Sequence, residues 1–182
     1  MSTPDRTQRS PEESAAALLA EVMRGERAVL LPPGSWTLGL FMSCLCVAAA
    51  PLGVLLAACV VPLDESAGAA RILLPMGIAI GLVAVATVGQ GLIIMGHAAA
   101  RSALRSYVRG LLLATAVLGS AHALGWIEAP GFFTPVAAVA LLACHRLLDS
   151  WSYLAVTAFF SLKRQYRSDA RAAAARVLRD KR

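Results

Sequence analysis

Polar and apolar positions divide the chain into a mixed opening, four long apolar runs and a charged end. Residues 1–9 are mostly polar. From Ser10 the pattern turns helical. Ala15, Leu18, Leu19, Val22 and Met23 recur at three- and four-residue spacing, with Glu12, Glu13, Glu21, Arg24 and Arg27 filling the other positions. That spacing predicts a short amphipathic helix over 11–28. Ser10 followed by Glu13 is a capping box, and Pro11 suits the first helical position. Leu31-Pro32-Pro33-Gly34 ends the element.

The four apolar runs cover 36–61, 72–98, 110–127 and 135–160. Each approaches the roughly 20 residues a helix needs to cross the hydrocarbon, the third only just. Pro51 sits inside the first and predicts a kink, because it removes a backbone donor. Residues 62–71 form a short loop, Arg101, Arg105 and Arg109 mark a basic loop or helical hairpin, and Glu128-Ala129-Pro130-Gly131 is a turn. The fourth run continues as a helix into the tail, 161–182. The expected fold is all-α: an integral membrane four-helix bundle, flanked by a polar segment (1–35) and a basic helical extension.

Composition narrows this further. Hydrophobic residues make up 58% of the 182 positions and charged residues 15%, against about a quarter charged in a soluble domain. Neither flank is long enough to build a core of its own. Thirty-five residues with four Arg and five acids precede the first run, so a cleaved signal peptide fits poorly. Leu56-Ala57-Ala58-Cys59 matches a lipoprotein box over four residues only, at the end of a full-length span, and is read as coincidence. Cys44, Cys46, Cys59 and Cys144 lie in apolar runs without metal-binding spacing, and are read as small apolar fillers. No cofactor and no metal are predicted.

Charge sets the expected orientation. Of 17 Lys and Arg, four precede the first run, three lie between 101 and 109, and eight fall between Lys163 and Arg182. The other two connections carry Arg71 and none. The positive-inside rule then puts both termini in the cytoplasm, which agrees with an even number of spans. Trp36, Trp126, Phe132 and Phe133 flank the spans as interfacial anchors. The abundance of Arg over Lys, 15 to 2, fits a high-GC bacterial coding bias, and the expected location is the bacterial inner membrane.

Candidate chemistry concentrates in the fourth run. His145 and Asp149 are i,i+4, Arg146 and Asp149 are i,i+3, and Arg146 and Ser150 are i,i+4, so each pair shares a helix face. Ionisable groups at membrane depth are costly and usually face a protein interior or a water-filled cavity. Depth counting sets His122 opposite His145, with Gln90 and Ser120 near enough to add hydrogen bonds. Three uses follow. The main expectation is a structural clamp built on an Arg146–Asp149 pair, which fixes helix register. The alternatives are an ion or proton path through His122, His145 and Asp149, and haem ligation by His122 and His145. His97 is expected at the interface.

Small residues mark possible helix contacts at Gly77/Gly81 in the second run, Gly53/Ala57 in the first and Gly119/Ala123 in the third. Lys163, Arg164, Arg167, Arg171, Arg176 and Arg179 make the tail basic, a surface for anionic lipid headgroups or a partner. Nucleic acid is excluded as a partner, since no aromatic interleaving or known nucleic-acid fold accompanies the charge. The first helix carries a net −2 (Glu12, Glu13, Glu21 and Glu26 against Arg24 and Arg27) and is expected to pack with the basic tail. No nucleophile–base set and no phosphate-binding loop occurs. The expected function is a small non-enzymatic membrane subunit that assembles with itself or with a partner. An oligomeric channel using His145 and Asp149 is the second expectation and a haem electron carrier the third.

Overall fold

A computed structural model describes residues 10–24, 32, 34–60, 69–127 and 129–180, and among them the chain is helical without strands. Six helices follow in order: α1 (Pro11–Met23), α2 (Trp36–Val60), α3 (Ala70–Ile94), α4 (Ala98–Ala123), α5 (Phe133–Leu148) and α6 (Trp151–Asp180). Most of the loop expected at 62–71, the last residues expected of the first helix and Glu128 lie outside the described residues.

The start of α1 is built as its sequence predicts. Glu13 N–H donates to Ser10 Oγ at 3.2 Å, and Ser10 N–H donates to Glu13 Oε2 at 3.0 Å. Each side chain satisfies a backbone donor the helix leaves orphaned.

The helices pack chiefly in sequence-neighbouring pairs, and two pairs distant in sequence close the structure. α2 lies against α3 and α5, α4 lies against α3 and α5, and α1 lies against α6. The core comes from stripes with alternating four- and three-residue steps. α2 buries Phe41, Leu45, Ala48, Leu52 and Leu55, and α5 buries Ala137, Leu141, Cys144 and Leu148. This is the seam spacing of helices that cross at a shallow angle. Cys144 Sγ donates to the Phe41 carbonyl at 3.6 Å, which ties the two seams together. All four cysteines are free thiols.

Two turns are set by glycine. Gly96 has φ +82° and Gly125 has φ +76°. After α3, His97 N–H reaches the Leu92 carbonyl and Gly96 N–H the Ile93 carbonyl. After α4, Trp126 N–H reaches Ala121 and Gly125 N–H reaches His122. Both are Schellman closures, which need a left-handed residue. They end α3 and α4 a few residues before the apolar runs do.

Two helices, α2 and residues Arg71–Ile94, are long and apolar enough to cross a membrane, or three if α5 and α6 count as one bent span. The expected third and fourth spans therefore take different forms. Arg101, Arg105 and Arg109 do not sit in a loop. They lie on α4, which runs unbroken from Ala98 because Ala100, Leu104, Val108 and Leu111 continue the buried stripe past them. The run 135–160 is not one helix. It bends by 53° between α5 and α6, where Ser150 Oγ accepts from Tyr153 N–H at 3.3 Å and caps a new helix.

Much of the outer surface is apolar. Only 6% of the apolar window of α3 is buried. Ile72, Ile80 and Val88 of α3, Leu113 and Val117 of α4, and Val139 of α5 each expose more than 60% of their surface. Soluble monomers rarely expose so much contiguous apolar area.

Candidate functional site

The break between α5 and α6 sets Asp149 at the C-terminal cap of α5, facing α4. Residues 101, 105 and 109 recur every four positions and so share one face of α4. All three arginines act on this elbow. Arg101 Nη2 lies 3.4 Å from Asp149 Oδ1, and Arg105 Nη2 is in close contact with the same oxygen. Arg101 Nε also donates to the Leu148 carbonyl at 3.3 Å. The last carbonyls of a helix lack intrahelical donors and carry its negative dipole end. A guanidinium there satisfies a backbone acceptor and a carboxylate together.

His145 completes the cluster. Its Nδ1 lies 3.7 Å from Asp149 Oδ2, and Arg109 Nε donates to its Nε2 at 3.3 Å. Nε2 thus accepts from the Arg109 guanidinium while Nδ1 faces Asp149. The side chains of Arg101, Arg105, Asp149 and His145 are 26–35% exposed. The site is a half-buried wedge and not a dry core pair.

Several predicted partners lie elsewhere. Arg146 does not pair with Asp149. It is exposed, while the Asp149 carboxylate turns toward α4 and meets Arg101 and Arg105 there. The Arg146 backbone carbonyl, not its guanidinium, meets Asp149, accepting from the N–H at 3.2 Å. Ser150 Oγ turns back to donate to the Leu147 carbonyl at 2.7 Å. Gln90 is 8% exposed and donates to the Leu38 carbonyl at 3.1 Å, so it links α3 to α2 apart from the cluster.

His122 and His145 do not face each other. His122 Nδ1 lies 2.9 Å from the Ile127 carbonyl at the turn after α4, whereas His145 meets Arg109, 13 residues earlier on that helix. Thirteen residues of helix measure about 20 Å. Two axial ligands must approach one iron from opposite sides, so this separation removes the bis-histidine haem arrangement. The depth count went astray because it ran along an unbroken helix to Phe160. Among the described residues, no group of three or more His, Cys, Asp or Glu is arranged to hold a metal.

The small-residue contacts also divide. A Cβ at Gly53 would collide with the Pro75 carbonyl oxygen and lie 3.3 Å from Ala79 Cβ, so α2 and α3 meet backbone to backbone there. Ala57, one turn on, is buried. Gly119 lies against Thr134 of α5. Gly77 and Gly81 have nothing within 4 Å; both face outward.

The basic residues of the tail lie on α6. Lys163, Arg164, Arg167 and Arg171 gather beside the end of α3, and Arg176 is exposed farther along. The Arg179 side chain lies outside the description. A cavity of about 890 Å³ lies where α1, the α3–α4 turn and α6 converge, with Glu13, His97, Arg101 and Gln165 among its walls.

The three arginines on α4 are what sequence reasoning missed. Their four-residue spacing was visible, but their partners are 36 to 48 positions away. No protein-family model, curated protein or solved structure matches this chain.

Proposed function

We propose that this chain is a small, non-enzymatic, multi-pass subunit of a bacterial inner membrane, with both termini cytoplasmic, that assembles with itself or with a partner protein. Its polar cluster is a structural clamp. The observation that carries this reading is that one carboxylate, at a helix break, is shared by two arginines of a neighbouring helix while a third holds the adjacent histidine. Each side chain of the cluster meets another within the chain, while the buried Arg105 Nε has no hydrogen-bond partner among the described residues.

In this reading α4, and α5 together with the start of α6, cross the bilayer beside α2 and α3. α4 carries three arginines but turns them onto the elbow, while its second half exposes Leu113 and Val117. Its 26 residues span about 39 Å, more than the hydrocarbon thickness. Trp36 and Trp151 lie exposed near one end of the helices, and Trp126 and Phe132 near the other, consistent with two interfacial belts.

Native mass spectrometry of the tagged protein, extracted gently from its own membrane, tests the assignment. The expected result is an oligomer or a stoichiometric foreign chain; a lone monomer sinks it. A channel using His145 and Asp149 makes a different demand: conductance in planar bilayers that Asp149→Asn changes. The clamp reading expects no such conductance.

A further inference from the structure

Where α3 ends, the chain builds a concave basic surface apart from the Asp149 cluster. A cavity of about 580 Å³ is walled by Ile94 of α3, by Met95 that caps it, and by Lys163, Arg164, Arg167 and Arg171 of α6. Steps of three and four residues put these cations on one face of α6. Gly96 makes the surface possible: a Cβ there would fall 2.6 Å from the Phe160 carbonyl oxygen and 2.7 Å from Arg164 Cβ. Without a side chain at 96, α6 comes flush against the end of α3. Lys163 Nζ stands 6.0 Å from the centroid of the Phe159 ring, within cation–π range.

The wall holds four cations and no carboxylate, and none of the four forms an ion pair among the described residues. Like charges on successive turns repel, so an anion among them relieves the arrangement. The other wall is apolar and open. Ile94 is 50% and Met95 65% exposed, and they continue into the exposed apolar face of α3. A phosphate beside an apolar track is the chemistry of a phospholipid: charge at the headgroup level and acyl chain along the helix.

We propose that this surface is a binding site for one anionic phospholipid, with its phosphate held by Arg164, Arg167 and Arg171 and an acyl chain lying along α3. The site deepens the membrane reading and rests on it. Carbonate extraction of native membranes tests that reading by itself: a chain that stays in the pellet but lacks lipid preference overturns the site alone.

The test measures lipid retained by the full-length protein in mild detergent, with dioleoylphosphatidylglycerol and dioleoylphosphatidylcholine offered at equal concentration. The site predicts one phosphatidylglycerol per chain in preference to phosphatidylcholine. Arg167→Gln should weaken retention about fivefold, the effect of one cation near a charged surface. Arg176→Gln, which removes equal charge outside the cavity, should leave it unchanged, and Arg167→Lys should restore most of it. Gly96→Val should also lose the lipid, because it wedges α6 away from α3; helical content by circular dichroism checks that these variants fold. Equal retention of the two lipids, or equal loss in the Arg167 and Arg176 variants, overturns the site. Full displacement by inorganic phosphate at the lipid's own concentration would show a phosphate site without an acyl track, and overturns the lipid assignment.

Discussion

Arg101 reaches 48 positions along the chain to Asp149 and holds it with Nη2 at 3.4 Å, while its Nε donates to the carbonyl of the residue just before. One side chain thus fixes both the end of α5 and the acid that caps it. Arg105 adds a second guanidinium on the same carboxylate oxygen. Removal of the acid leaves two cations facing each other; removal of one arginine leaves the other in place.

That asymmetry makes a double-mutant test informative. Asp149→Asn should lower unfolding stability more than Arg105→Gln does. The coupling between the two changes should be about 1 kcal/mol, since both side chains are roughly a third exposed and water screens them. Thermal melts of the four proteins in one detergent measure it. A coupling indistinguishable from zero removes the clamp.

Glycines at helix crossings should respond by position. Gly53→Ala puts a methyl into the Pro75 carbonyl and should cost about 1–3 kcal/mol. Gly77→Ala and Gly81→Ala meet open space and should stay within about 0.5 kcal/mol of the parent. Melting midpoints in detergent decide between them. An equal loss at 77 would place that face against a second helix absent from this single chain.

Ser150 carries two bonds at the elbow, one to Tyr153 N–H and one to the Leu147 carbonyl. Ser150→Ala should cost about 1 kcal/mol, the usual effect of a lost N-cap. Spin labels at Val139 and Tyr166 should also report a broader distance distribution, because the cap helps to hold the 53° bend. An unchanged midpoint together with an unchanged distribution argues that Arg101 and Arg105 set the bend alone.

Orientation has its own readout. Alkaline phosphatase fused after residue 66 or after Ala129 should be active, and fusions after His97 or Arg182 should be inactive. Activity at His97 would reverse the expected topology.

Local signals in the sequence carried part of this structure. Ser10, Pro11 and Glu13 announce α1 because every group in the capping box lies within one turn. The apolar runs give α2 and most of α3, since hydropathy along a helix needs no knowledge of its neighbours. The elbow at Asp149–Ser150 was hidden because apolar residues continue across it, from Leu147 and Leu148 to Trp151 and Tyr153, and the capping serine sits within an apolar run. The Arg101, Arg105 and Arg109 face was hidden for a different reason. Hydropathy scores three arginines as water-facing, while their role depends on a carboxylate and a carbonyl brought in by another helix. The same small-residue spacing marked Gly53, which meets α3, and Gly77 and Gly81, which meet nothing among the described residues; residue spacing names a face but not what lies against it.

The elbow also makes α6 a lever. Thirty residues of helix give an arm of about 45 Å, so a 10° change of the bend moves its far end by roughly 8 Å. The pivot is fastened by salt bridges a few ångströms long, on the opposite side of the bend from the basic stretch that begins at Lys163. Two contacts therefore aim that arm, the clamp at its root and the close approach of Phe160 and Arg164 to Gly96, and its row of positive charge turns only where both give way.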